Sequence, residues 1–131
     1  MSKISNKLRE DLITKFGDRA NFQRLERKLY GHDIASIPSL VKLIVGKTIP
    51  EAVVQPRTEE ELIWLVNWAK KNRVSITPRG AASSGYGGVI PVKRGIVIDF
   101  YRMQAIKKID AKNNTATVEA GIVWEKLDKE L

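Results

Sequence analysis

The sequence predicts an α/β chain, α+β overall: a small three-stranded parallel sheet with flanking helices, followed by the start of an antiparallel sheet. Three observations carry this reading. Two short apolar runs, Ala52-Val53-Val54-Gln55 and Val74-Ser75-Ile76-Thr77, bracket a stretch of helical periodicity. A third run, residues 96 to 100, is apolar at every position but Asp99, as a parallel strand covered on both faces is. Past Arg102 the period drops to two, which marks half-buried antiparallel strands.

Each element has its own signal. Ile4, Leu8, Leu12 and Phe16 recur every fourth residue, an amphipathic helix that Gly17 ends. Phe22, Leu25 and Leu29 suggest a second short helix, broken by Tyr30-Gly31-His32-Asp33. Residues 34 to 50 read as a connector with Pro38 and Pro50 as breakers and a helical turn around Ser39 to Ile44. Residues 1–50 thus form a helical N-terminal segment and connector.

Residues 51–103 form the parallel part. Ala52 to Gln55 is the first strand, closed by Pro56. Thr58 is a helix N-cap and Glu61, three residues on, completes a capping box. Glu59, Glu60 and Glu61 suit the positive end of that helix, and Lys70 and Lys71 its negative end. Leu62, Leu65, Val66 and Ala69 give the buried face, with Trp64 and Trp68 on its flanks; these tryptophans and Trp124 read as packing residues. Asn72-Arg73 ends the helix, Val74 to Thr77 is the second strand, and residues 96 to 100 are the third. The first two strands and the helix between them make a right-handed βαβ unit.

Residues 104–131 begin the antiparallel part. Ala105 to Asp110 and Thr115 to Ala120 form a hairpin, with Ala116, Val118 and Ala120 on one face. A helix then starts near Trp124, and Trp124, Leu127 and Leu131 make an apolar stripe. A lone hairpin is marginal, so this region calls for more strands, from a second chain or by self-association.

Composition narrows the function classes. No cysteine is present, which excludes disulfides, iron–sulfur clusters and thiolate metal sites within these 131 residues. A single histidine, His32, argues against a zinc site or a histidine-based nucleophile, and a solvent-facing or structural role fits it better. No apolar run is long enough to span a bilayer and the first residues lack a secretory signal, so a cytoplasmic chain without a transmembrane segment is expected. The net charge of +8 would suit nucleic acid, anionic lipid or a phosphorylated ligand. The basic residues are scattered, without a block of five or six, so a solvated surface is the plainer reading and no nucleic-acid partner is expected.

The most informative stretch is Pro78-Arg79-Gly80-Ala81-Ala82-Ser83-Ser84-Gly85-Tyr86-Gly87-Gly88. It lies between two strands and carries almost no bulk. Such a loop brings backbone N–H groups close to an anion such as phosphate. Ser83 and Ser84 add hydroxyl donors. Arg79 either meets the phosphate or forms a salt bridge. The dinucleotide fingerprint fails here: Gly85 and Gly87 fit, but the third glycine position is Ile90, and Pro91 follows. Gly46-Lys47-Thr48 fails as a P-loop, because Val41 stands at its first glycine and Pro50 blocks the helix.

Five segments in order resemble another group. They are Tyr30-Gly31-His32-Asp33, the run from Val53 to Leu62, the glycine and serine loop with Pro91, Gly95 to Met103, and Ala116-Thr117-Val118-Glu119-Ala120-Gly121-Ile122. Together they resemble the N-terminal part of the FAD-binding domain of FAD-linked oxidases, the p-cresol methylhydroxylase and vanillyl-alcohol oxidase type, which includes D-lactate dehydrogenases and the glycolate oxidase flavin subunit. The resemblance implies a truncated FAD-binding domain of an oxidoreductase acting on a 2-hydroxy acid, without catalytic residues of its own. It implies that Arg79, Gly80, Ala81, Ala82, Ser83 and Ser84 hold the FAD pyrophosphate, with Tyr86 and Gly87 close by and Pro78 at the loop's entrance. It places Pro56 near the adenine half, and Gly121 and Ile122 near the flavin. Ser83 stands where some members carry a flavin-linking histidine, so FAD should be held non-covalently. Where the family often has three glycines, this chain has Gly80-Ala81-Ala82, and both alanines are expected to keep ordinary dihedrals. The readings set against this one are a basic nucleic-acid-binding module and an inactive interaction module.

Overall fold

The computed structural model describes residues 4–34 and 47–131. The helical turn expected around Ser39 to Ile44 lies outside the described residues.

Helix α1 spans Asn6–Phe16, with Ser5 as N-cap accepting from the Leu8 amide. It stops at Gly17, whose φ of +58° suits glycine and whose N–H returns to the Ile13 carbonyl. Leu12 and Phe16 are buried, and Ile4 and Leu8 pack against the same core. A 3-10 turn, Gly17–Arg19, then leads into the two-residue strand β1, Ala20–Asn21. That strand was not expected, because two residues carry no readable period. Helix α2, Arg24–Leu29, exists as expected, but Leu25 and Leu29 are 81% and 62% exposed. It is attached by polar contacts instead: the Arg27 guanidinium donates to the Pro50 and Glu51 carbonyls at 2.8 and 3.2 Å.

The main sheet contains β1, β2 (Ala52–Val54), β3 (Ile76–Arg79) and β4 (Ile96–Asp99), ordered β1-β2-β4-β3. Three strands are parallel, as expected, and β1 adds an antiparallel edge, pairing Ala20 with Val54. The two strands joined by the long helix are not neighbours. β4 inserts between them, Val53 pairing Val97 on one side and Thr77 pairing Val97 on the other. Burial explains the order. All four residues of β4 are buried, whereas β3 is only half-buried and contains Pro78. The Ile96 amide donates to the Ser75 carbonyl at 2.9 Å. Alternation then turns the peptide groups of Thr77 and Arg79 toward β4, so the missing N–H of Pro78 falls on the open edge, where a sheet tolerates proline.

Helix α3, Glu59–Asn72, crosses from β2 to β3 and packs on the sheet beside α1. The Thr58 hydroxyl accepts from the Glu61 amide at 3.2 Å, and Arg73, left-handed at φ +54°, closes the far end. The reciprocal half of the capping box does not form. The Glu61 carboxylate accepts from the Arg57 amide and from both ends of the Arg19 guanidinium, at 2.6 and 2.7 Å. This fork, mainly through the Arg19 hydrogen bond, holds the Glu61 carboxyl down at about 2. The buried stripe of α3 is Leu65, Trp68 and Ala69, while Val66 faces outward at 43% exposure. Trp68 therefore belongs to the core face, its indole N–H donating to Asp11 at 3.0 Å and its ring stacked on Trp64. Ala52, Val54, Ile96 and Ile98 supply the sheet side of this core.

Beyond the 3-10 turn Phe100–Arg102, strands β5 (Ile106–Asp110) and β6 (Thr115–Val118) form the expected hairpin as a separate two-stranded sheet. Helix α4, Trp124–Asp128, follows. Of its apolar stripe only Leu127 is buried; Trp124 is 81% exposed.

Candidate functional site

The parallel strands β2, β3 and β4 all end at one side of the main sheet, where ligands of open α/β sheets bind. A cleft of about 590 Å³ opens there. Its lining comes from each strand end in turn: Gln55 after β2, Arg79, Gly80 and Ala81 at the end of β3, Asp99 and Tyr101 after β4. Leu29 and Tyr30 enter from α2, and Gln104, Gly121 and Val123 from the segments flanking the hairpin.

Asp99 organises the floor. It is 5% exposed and closes an otherwise apolar strand. One oxygen accepts from the Tyr30 hydroxyl at 2.9 Å and from the Gln55 amide at 2.7 Å; the other accepts from the Tyr101 N–H at 3.0 Å. Gln55 in turn accepts from the Arg102 guanidinium at 2.9 Å. Burial, and then the hydrogen bond to Asp99, push the Tyr30 phenol up to about 12, so it remains a donor at neutral pH. Asp99 caps the 3-10 turn, but its other partners lie 44 and 69 residues away.

The glycine loop leaves β3 directly over this floor. Among the described residues, the main-chain N–H groups of Gly80, Ala81, Ala82 and Ser83 donate no hydrogen bond. Gly80 has space around it, the nearest atom to a notional Cβ being the Ala120 carbonyl at 3.9 Å. One expectation fails here: Ala82 is left-handed, with φ +57°. The loop must reverse within a few residues between β3 and Pro91, and this chain makes the turn with an alanine at a steric cost of about 1–2 kcal/mol. The far half of the loop is internally bonded. The Tyr86 amide donates to the Ser84 hydroxyl at 3.3 Å, and the Gly87 amide to the Asp33 carboxylate at 2.8 Å.

Among the described residues Arg79 forms no ion pair; its guanidinium donates to the His32 carbonyl at 2.9 Å and lies over the Tyr30 ring, 5.0 Å from the centroid. Gly121 is forced by packing: a Cβ there would sit 1.9 Å from the Phe100 carbonyl oxygen. Its own N–H donates to Met103 at 2.9 Å, which ties the hairpin sheet to the end of β4.

Of the residues singled out from sequence, the cleft brings together Arg79, Gly80, Ala81 and Gly121. Ala82, Ser83 and Ser84 continue the loop away from the lining. Pro56 is fully buried behind β2, Pro78 sits on the edge strand, Tyr86 is 96% exposed, and Ile122 lies beside Gly121 with its N–H on Glu119. Sequence reading missed Gln55, Asp99, Tyr101 and Gln104 as lining residues. The readable signal was the polar residue ending each apolar strand, Gln55 after β2 and Asp99 at the close of β4.

Among the described residues no cluster of three or more histidine, aspartate or glutamate side chains is placed to hold a metal ion, and no helix is long and apolar enough to cross a membrane. Unbonded amides, a small-residue loop and a nearby arginine do fit a diphosphate.

Comparison with known proteins agrees. A family described as FAD binding domain matches residues 50–131. The glycolate oxidase subunit GlcD of Bacillus subtilis is 36% identical over 77 residues, covering 59% of this chain and 16% of that protein. A D-lactate dehydrogenase of Anaerostipes hadrus is 28% identical over 123 residues, 93% of this chain and 25% of that one. The solved structure of an alkyldihydroxyacetonephosphate synthase superposes with a TM-score of 0.79 at 28% identity, covering 97% of this chain and 27% of that one. The chain thus spans about a sixth to a quarter of the length of such relatives. More than half of its residues fall within the matched region, which takes in the glycine loop, the hairpin and all of the cleft lining except Leu29 and Tyr30, and the chain belongs to the FAD binding domain family of FAD-linked oxidoreductases.

Proposed function

We propose that this chain supplies the diphosphate-binding part of an FAD-dependent oxidoreductase that acts on a small 2-hydroxy acid. The observation that carries the reading is the row of amides from Gly80 to Ser83, unbonded among the described residues, at the C-terminal end of β3 by the cleft. In this reading those amides hold the FAD diphosphate, Ser83 and Ser84 add hydroxyl donors, and Gly80 admits the phosphate because it has no side chain. Arg79 lends positive charge from the loop's base while its guanidinium stays on His32. Gly121 and Ile122 border the flavin side, and Pro56 shapes the wall toward the adenine. FAD is held non-covalently, Ser83 offering no linking nitrogen. Bound FAD supplies hydride acceptance, and the protein supplies binding and orientation.

The 2-hydroxy-acid substrate is supported by the glycolate oxidase and D-lactate dehydrogenase relatives. A second chain, or a second copy, covering Trp124 and Leu131 belongs to the same proposal, as does a cytoplasmic location; those two side chains are 81% and 74% exposed. The test is an absorbance spectrum of the purified chain. Flavin bands that survive desalting, or return when FAD is added, support the proposal. Gly80→Val should abolish retention while circular dichroism stays unchanged; FAD binding undiminished in that variant would remove the loop from the site.

A further inference from the structure

We propose that the turn Tyr30–Asp33 is a clamp that positions the diphosphate loop, with Asp33 as its principal positioning residue. The functional consequence rests on the FAD reading; the clamp itself does not. The turn grips the loop at both ends. At the start, the Arg79 guanidinium donates to the His32 carbonyl at 2.9 Å and lies over the Tyr30 ring. At the finish, the Gly87 amide donates to the Asp33 carboxylate at 2.8 Å, across 54 residues of chain. Between these two grips lie Gly80 to Ser83, whose amides donate no hydrogen bond among the described residues.

The clamp is itself anchored. Tyr30 donates its hydroxyl to buried Asp99 at the end of β4. Gly31 is wedged so closely that a Cβ would lie 3.3 Å from both the Lys28 and Thr48 carbonyls. Asp33 is 7% exposed, so its bond to the Gly87 amide is largely shielded from bulk water. Two consequences follow from charge. The Gly87 amide is occupied by a carboxylate of the same chain and is withdrawn from phosphate binding. A negative group at the loop's far end and a positive one at its base then direct a diphosphate toward Gly80 to Ser83.

The test uses the 131-residue chain without FAD first. Amide hydrogen exchange is followed by NMR at Gly87 and at Ile90, whose N–H bonds the Gly87 carbonyl. Asp33→Ala should speed exchange at both by about tenfold or more, while amides of β2 and β4 change less than about twofold. Asp33→Asn keeps an acceptor oxygen and should restore most of the protection. FAD titration should then show affinity about tenfold weaker for Asp33→Ala, and intermediate for Asp33→Asn, the loss expected for one hydrogen bond to a charged group. Unchanged exchange at Gly87 overturns the clamp, and so does an equal loss of protection in β4, which would make Asp33 a residue of general stability. A loosened loop with wild-type FAD affinity overturns the positioning role and leaves the FAD reading intact. A loosened loop in a chain that takes up no FAD upholds the clamp and removes the FAD reading instead.

Discussion

The two sheets are built on opposite principles. In the main sheet β2 and β4 are buried on consecutive residues, and α1 and α3 cover one face with Leu12, Phe16, Leu65, Trp68 and Ala69. In the hairpin sheet β5 and β6 bury no residue fully, and α4 contributes only Leu127. The cleft lies where they meet, and the backbone contact of Gly121 on Phe100 joins them. The difference teaches that the loop's platform is stiffened from one side, while the other wall depends on few contacts.

Substitutions should separate the two regions. Leu65→Ala, at a fully buried site, should cost about 2–5 kcal/mol in denaturant unfolding. Ile109→Ala, 40% exposed on β5, should cost under about 1 kcal/mol. Equal losses would mean the sheets share one core. Gly121→Ala forces a methyl group into the Phe100 carbonyl and should cost about 3 kcal/mol, with the hairpin amides losing protection before those of β4. Loss in both sheets together would show that the hairpin is integral to the core.

The clamp floor has its own pH signature. The folded Tyr30 phenol sits near 12, above its ordinary value of 10, so its contribution is complete below pH 10 and disappears as pH rises from 10 to 12. Tyr30→Phe should flatten that alkaline loss and lower neutral stability by about 1 kcal/mol. Glu61 shows the opposite sign: its carboxyl is held at about 2, so its contribution is present above the ordinary 4.5 and fades as pH falls toward 2. The smallest effect is a gain. Ala82→Gly removes left-handed strain and should stabilise the chain by about 0.5–1 kcal/mol, read as a raised denaturation midpoint. A loss there would show that the entropy of glycine outweighs the strain.

Much of the fold was legible because its signals are local. The α1 stripe, the stop at Gly17, the Thr58 cap and the alternation of β6 each rest on interactions within about one turn or one strand pair. The glycine loop was legible because small residues between two strands constrain any chain alike. The errors were of another kind. Val66 and Trp68 were misplaced around α3 because both lie near the edge of its apolar arc, and the Trp68 side chain is held in the core by stacking on Trp64 and by Asp11, a partner on α1 beyond the reach of the pattern. Ala82 was assigned ordinary dihedrals because intrinsic preference says so, but the closure of the loop overrides it.

The sequence by itself determined the order of the helices and of every strand but β1, and that a small-residue loop follows the second parallel strand, which begins at Ile76, two residues later than the Val74 read from the apolar run. Only the tertiary structure decided that β4 enters between β2 and β3, that Asp99 gathers Tyr30 and Gln55, and that Asp33 reaches Gly87. The physical reason is range. Period and capping act between residues a few positions apart, whereas strand order and a buried carboxylate's partners depend on which distant groups packing brings within hydrogen-bond reach.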